Sequence, residues 1–363
     1  MLYLHNGHDL AFTPTLRFRS IDDGRTWQRL DETVPRCAWA HSFADGELFE
    51  IDNYGLAVPG SPDETVFYGA WSRPSVPDDV PRREMVRVHF HDLAAFPLKE
   101  WLNGNPTMPW WPQWREVYKL DRIDFDRISF RGPFFTSMIA LDSSRLMALG
   151  YAQHNNGKWI TMPFESADRG RTWRQVGTIT DLANNQPITN EASLVRLGDG
   201  RLFSVLRTEA PLVQSWSNDE GRTWSQPQPL QVIDEPHKPA HVWPVLRLMG
   251  NGCLVLAYGR PGKNLLIDPT GTSTAWQSRL DLHAWELQTQ EIMGVPESQR
   301  LRGVVGKPLD ETLDRYHDSG DYLGLVADGP DELLVTYDVQ DYLEHWNARP
   351  FSGVRMLRVR IQS

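Results

Sequence analysis

Apolar residues in this chain fall into short runs that come in pairs. Each pair encloses a turn of Gly, Asp or other polar residues. The pattern appears as AWAHSFADGELFEI (38–51), FTSMIALDSSRLMALGY (135–151), ASLVRLGDGRLFSVLR (192–207), VWPVLRLMGNGCLVLAYGR (242–260) and YLGLVADGPDELLVTYD (322–338). Apolar strand, turn and apolar strand predict a β-hairpin in each segment. Helical periodicity is slight. LAAFPLKEWL (93–102) and ETLDRYHD (311–318) read as short surface turns, and Pro-rich GNPTMPWWPQW (104–114) reads as an insertion loop.

A second repeat follows the hairpins. SIDDGRTW (20–27), SADRGRTW (166–173) and SNDEGRTW (217–224) all fit S-x-D-x-G-x-T-W. The Ser and Asp oxygens are suited to accept backbone N–H groups inside a tight turn. Gly24, Gly170 and Gly221 then supply a positive φ, and the closing Trp folds back on the turn. These boxes read as fold elements. Their few acidic oxygens are too few for a calcium loop.

The last two boxes begin 51 residues apart, at Ser166 and Ser217. The same step leads to Asp268, where DPTGTSTAW resembles a decayed box ending in Trp276. A unit of that length, ordered strand, turn, strand, link, strand, box, strand, matches one four-stranded propeller blade. The expected architecture is all-β: a single β-propeller domain over residues 1–363. Six blades is the expected number, with five or seven as alternatives. TVFYGAW and MVRVHF, within residues 63–120, are assigned to a divergent sixth blade. Strands around LYLHN and TLRFRS precede the first box, as expected if the two chain ends close the ring.

Charge and composition narrow the partners. Thirty-seven Lys and Arg against 47 Asp and Glu leave a formal charge of −10, which argues against nucleic acid as the main partner. No apolar run is long enough to span a membrane as a helix. The start, MLYLHNGHDL, has no basic segment before an apolar stretch, so a cytoplasmic protein is expected, or an exported one with its signal removed. Cys37 and Cys253 are too few for a disulfide framework. Fifteen Trp and ten Tyr suit β structure and, at some positions, sugar-binding surfaces.

Box and hairpin together resemble the sialidase (neuraminidase) superfamily, whose members carry Asp-box, or BNR, repeats on a six-bladed propeller. The resemblance implies a glycoside hydrolase acting on a terminal acidic sugar. In that family a tyrosine nucleophile is paired with a glutamate, an aspartate is the acid/base, and three arginines hold the substrate carboxylate. An anionic sugar disfavours a carboxylate nucleophile, and a tyrosine avoids the repulsion. Arginine offers the carboxylate a bidentate fork that lysine cannot.

The segment TNEASLVRLGDGRLFSVLRTE (189–209) carries the best local match. By position it implies Glu191 as the tyrosine's partner and Arg207 as a carboxylate-binding arginine. Hairpin geometry independently puts those two residues at the same end of one blade. HDSGDYLGLV (317–326) resembles the segment that presents the nucleophile, here Tyr322, with Asp321 displacing the usual Gly. Arg260 occupies the place of Arg207 in the following hairpin, with Lys263 close after it. The remaining arginine is Arg131 or Arg36, and Asp52 is the acid/base candidate. No cofactor or metal is implied.

Two different function classes stay open. His237, His241 and the His317/Asp318 pair precede inner strands, and a His near a Tyr suits proton abstraction beside a uronate, as in a polysaccharide lyase. His241 is also a candidate substrate contact. The second class is a non-catalytic glycan-binding propeller. The oligomeric state is left open.

Overall fold

The computed structural model describes residues 2–5, 17–20, 22, 26–30, 37–52, 55–58, 60–73, 75–76, 81–97, 129–180, 187–209, 211–230, 242–259, 263–282, 285, 288–289, 322–340 and 352–361. The protein is all-β, with 25 strands among these residues. It divides into two compact units, Met1–Thr178 and Ile179–Ser363, each described by itself. No helix among the described residues is long and apolar enough to cross a membrane.

In the first unit, β1 (Leu2–His5), β2 (Arg17–Ser20) and β3 (Gln28–Leu30) form an antiparallel sheet, with Ser20 of the first box ending β2 and Trp27 just before β3. A larger sheet contains β4 (Cys37–Ser42), β5 (Leu48–Asp52), β6 (Leu56–Ala57), β7 (Glu64–Ser72), β8 (Arg82–His89), β9 (Ala95–Pro97) and β10 (Ser129–Arg131). It continues through β11 (Phe134–Ala140), β12 (Leu146–Gln153), β13 (Trp159–Ser166) and β14 (Thr172–Gln175). Strands β14 and β8 pair in parallel, with Trp173 opposite Val88.

TVFYGAW and MVRVHF do not begin a separate blade. They lie in β7 and β8, and β7 adds to β5 with Phe49 opposite Trp71. The two strands therefore complete the sheet that the β4–β5 hairpin starts. The cross-strand aromatic pair gives a physical reason, because Phe49 and Trp71 stack at 4.9 Å on one face. Part of LAAFPLKEWL is also strand, since Ala95–Pro97 pairs with β10. Residues 311–318 and 104–114 lie outside the described residues.

The second unit holds two four-stranded antiparallel sheets and a three-stranded one. The first comprises β15 (Ala192–Arg196), β16 (Leu202–Leu206), β17 (Val213–Ser217) and β18 (Gln228–Pro229). The second comprises β19 (Val242–Leu248), β20 (Leu254–Gly259), β21 (Lys263–Asp268) and β22 (Ser278–Asp281). The third comprises β23 (Leu323–Ala327), β24 (Glu332–Gln340) and β25 (Ser352–Arg360). All five predicted hairpins are present, as β4–β5, β11–β12, β15–β16, β19–β20 and β23–β24.

Alternation explains why these strands read as continuous apolar runs. Neighbouring residues on a strand point to opposite faces. Leu246, Leu254, Leu256, Tyr258 and Leu266 pack against Phe203 and Val205 of the β15–β18 sheet. Val245, Val255, Ala257 and Leu265 pack against Leu323, Leu325, Leu333 and Val335 of the β23–β25 sheet. The middle sheet is thus covered on both faces and needs apolar residues at successive positions. Arg247 Nε donates to the Leu325 carbonyl oxygen at 3.0 Å and adds a polar tie from β19 to β23.

Each described box closes on itself. Ser20, Ser166 and Ser217 each donate from Oγ to the box Asp at 2.8 Å. That Asp accepts the backbone N–H of Thr26, Thr172 or Thr223 at 2.8–2.9 Å. In the two later boxes the Trp indole donates to the Gly carbonyl at 3.0 and 2.9 Å. Gly170 and Gly221 have φ of 91° and 83°; Gly24 lies outside the described residues. The decayed box keeps its Asp in this role, with Asp268 accepting the N–H groups of Thr270, Thr274 and Ala275.

The boxes also lock onto strands that precede them in the chain, and the lock occurs twice. In the first unit, Trp71 donates from Nε1 to the Arg169 carbonyl at 2.9 Å, and Trp173 stacks 6.4 Å from Phe49. In the second unit, Trp216 donates from Nε1 to Ser273 Oγ at 2.7 Å, and Trp276 lies 6.4 Å from Phe203. Phe203 and Trp216 face each other across the β16–β17 register as Phe49 and Trp71 do across β5–β7. A Phe–Trp pair on two adjacent strands therefore receives a box that comes later in the chain.

Candidate functional site

The candidate site lies at one end of the second unit, where three sheets offer strand ends. Glu191 immediately precedes β15 and Arg207 immediately follows β16. The ladder continues past both strands, because Arg207 N donates to the Glu191 carbonyl at 2.7 Å and Asn190 N to the Arg207 carbonyl at 3.2 Å. Register therefore puts the two side chains next to each other. Arg207 Nη1 reaches Glu191 Oε2 at 2.9 Å. Asn190 Oδ1 accepts the Glu191 backbone N–H at 2.8 Å and fixes the turn into β15.

Tyr322 immediately precedes β23. Its phenol Oη donates to Glu191 Oε1 at 2.7 Å. The other carboxylate oxygen accepts a second bond, from the Trp243 backbone N–H at 3.0 Å. Glu191 is only 6% exposed, and this matters because a carboxylate so enclosed requires its oxygens to be satisfied. Arg207 supplies the opposite charge, with a quarter of its side chain still facing solvent. The Trp243 ring stands 5.1 Å from the Tyr322 ring, tilted by 58°.

Trp243 is not among the residues expected from sequence. It sits where β19 carries one extra residue, between Val242 and Val245, and its φ is +48°. Pro244 is the available signal, since proline inside a paired strand marks a bulge. Lys263 opens β21 fully buried, with Nζ 5.7 Å from the centre of the Tyr337 ring.

Two more of the expected residues, Asp52 and Arg131, are described within the first unit. Asp52 ends β5, opposite Cys37 in register, and is 1% exposed. Arg131 ends β10 and donates from Nη1 to the carbonyls of Pro62 at 2.9 Å and Ser61 at 3.4 Å. Arg36, Arg260, His237, His241, His317 and Asp318 lie outside the described residues. Among the described residues, no cluster of His, Cys, Asp and Glu is placed to hold a metal ion.

Chemically the arrangement is a phenol in direct contact with an enclosed carboxylate that is charge-balanced by a guanidinium. Such a carboxylate can take the phenol's proton, and the phenolate oxygen can then attack an electrophilic carbon.

Residues 112–284 match the family model described as a BNR repeat-like domain. No curated protein matches the sequence. Among solved structures, the chain is similar to a Dyadobacter fermentans protein of unknown function, at 16% identity and a TM-score of 0.55, over 97% of this chain and 85% of that one. It is similar to a Penicillium chrysogenum α-L-arabinanase complexed with arabinobiose, at 14% identity and a TM-score of 0.52, over 96% of this chain and 86% of that one. It is also similar to a Fusarium graminearum α-L-arabinofuranosidase, at 14% identity and a TM-score of 0.53, over 95% and 85% of the two chains. At these identities the likeness is one of fold. The resemblance to BNR-repeat proteins read from the sequence stands.

Proposed function

We propose that this chain, a BNR-repeat protein of the sialidase-like kind, is a glycoside hydrolase working through the Tyr322–Glu191 pair. The observation that carries the reading is the 2.7 Å hydrogen bond from Tyr322 Oη to Glu191 Oε1. Tyr322 Oη attacks the anomeric carbon as its proton passes to Glu191 Oε1. The bond to the leaving oxygen breaks, and that oxygen takes a proton from an acid. Asp52 is offered for that proton by sequence position alone. Water then attacks the glycosyl-tyrosine and gives its proton to the spent acid. The sugar leaves, and Glu191 returns the first proton to Tyr322.

A terminal acidic sugar is the leading substrate. A neutral phenol at the attacking position suits an anionic substrate, because it adds no like charge. In this reading Arg207 and Arg260, with Arg131 or Arg36, hold the sugar carboxylate, and His241 is a further contact. Six blades in one propeller domain belong to the same reading. A second reading, hydrolysis of a neutral α-L-arabinofuranoside, draws on the fold likeness to the arabinan-degrading enzymes. Lyase action through His241 or His317 and glycan binding without chemistry are kept as outcomes of the test.

The test is a panel of fluorogenic glycosides with a sialoside, a uronide and an α-L-arabinofuranoside. Fluorophore release from the sialoside supports the leading reading. Release only from the arabinofuranoside moves the substrate to a neutral pentose. New absorbance from an unsaturated uronate means a lyase. Binding without turnover removes the enzyme reading. A fluorinated sugar that traps the covalent intermediate should add its mass to the peptide containing Tyr322.

A further inference from the structure

We propose that Trp243 is a positioning residue for the Tyr322–Glu191 pair, an inference that rests on the reading of the site given above. One residue meets both members of the pair through different groups. Its backbone N–H donates to Glu191 Oε2 at 3.0 Å, and its indole ring lies 5.1 Å from the Tyr322 ring. Arg207 Nη1 holds the same Oε2 at 2.9 Å. With two donors on Oε2, the oxygen presented to the phenol is Oε1.

The backbone is bent to make this contact. A bulky residue with φ of +48° is in the left-handed region, where its Cβ is crowded. The extra residue between Val242 and Val245 takes position 243 out of regular pairing, and this aims its N–H at the carboxylate. Pro244 lacks a backbone N–H and so cannot donate to the ladder beside the extra residue, which suits it to a bulge. Strain of this kind persists only where the surrounding structure enforces it, and here its product is a contact with the proposed base. Trp243 touches no reacting atom in this scheme. It acts by setting the angle and distance at which Glu191 meets Tyr322.

The experiment uses three forms of the full chain. The first carries the α-hydroxy analogue of tryptophan at 243, which replaces the amide by an ester, deletes the N–H and keeps the ring. The second is W243N, which tolerates a left-handed backbone and lacks the ring. The third is W243F, which keeps an aromatic ring. Thermal melts establish that each form is folded. On the glycoside that the parent cleaves, the ester form and W243N should lose about 10- to 100-fold in kcat with KM little changed, and W243F should recover most of the loss. Parent-like kcat in the ester form and in W243N would overturn the proposal.

A second readout does not need activity. Ultraviolet titration of Tyr322, taken as the difference from Y322F, should give a displaced curve in the ester form. If the parent cleaves no glycoside yet this curve is displaced, the positioning role stands and the hydrolase reading falls. An unmoved curve overturns the positioning role, whatever the parent does to glycosides.

Discussion

Tyr322 and Glu191, 131 positions apart in sequence, share a 2.7 Å hydrogen bond from phenol to carboxylate. The residues come from different sheets. Glu191 precedes β15, and Tyr322 precedes β23, with the β19–β22 sheet intervening in the chain. A contact of this kind is built by tertiary packing alone, and the expected effects of disturbing it follow directly.

Y322F should abolish hydrolysis while leaving the fold intact. The variant loses the attacking oxygen and keeps the ring that faces Trp243. A kcat loss of about 10³-fold or more is expected, with an unchanged thermal melt. Near-parent turnover in a folded Y322F protein would remove the tyrosine from the mechanism.

E191Q and E191A should differ in kind. Glutamine can still accept from Arg207 and Trp243, but it cannot take the phenol's proton. E191Q should therefore stay folded and lose about 10²- to 10⁴-fold in kcat. Alanine also deletes the buried carboxylate that Arg207 and the Trp243 N–H meet, so E191A should lose stability as well, by about 1–3 kcal/mol. Chemical denaturation of the two variants beside the parent separates the effects.

Two glycines test how a box meets its neighbour. Gly157 has φ of 87° with open space around its Cβ position, whereas Gly170 has φ of 91° and a Cβ there would stand 2.5 Å from the Phe49 ring. G157A should cost about 1–2 kcal/mol, from backbone strain alone. G170A adds overpacking to the same strain, roughly a further 1–3 kcal/mol. Equal melting temperatures for the two variants would contradict the docking of the second box on Phe49.

The box aspartates should make stability depend on acid. The hydroxyl of Thr223, its backbone N–H and Ser217 hold the Asp219 carboxylate at a pKa of about 2, below its ordinary 3.8, and Asp22 is held at about 2 by the same contacts from Thr26 and Ser20. A folded pKa below the unfolded one stabilises the protein above the unfolded value, and this is lost as pH falls through the folded one. D219N should therefore melt below the parent at pH 7, and the gap should close between about pH 4 and pH 2. A gap that stays constant through that range would rule out the carboxylate's charge as the source.

Much of the architecture is legible because its causes are local. The five hairpins follow from alternation and turn chemistry, and the box from a Ser, an Asp and a Gly that bond within eight residues. Glu191 and Arg207 are also legible, since a hairpin's register alone puts them together. Tyr322 is reached through resemblance to a family, as nothing nearby in sequence points to its carboxylate. Trp243 escapes because its role lies in a backbone N–H and a strained φ, which side-chain chemistry does not announce. TVFYGAW and MVRVHF are misplaced by sequence for a similar reason. Their pattern states that they are strands, while the partner is chosen by Phe49, which meets Trp71 only in the folded sheet.

The repeated lock between a Phe–Trp pair and the following box has a consequence for biosynthesis. The pair is made before the residues that cover it: Phe49 and Trp71 precede Trp173, and Phe203 and Trp216 precede Trp276. A chain growing from the ribosome carries each aromatic face uncovered until the next repeat has emerged. That interval is when the nascent protein is most exposed to wrong partners, and a ribosome stalled between repeats would prolong it.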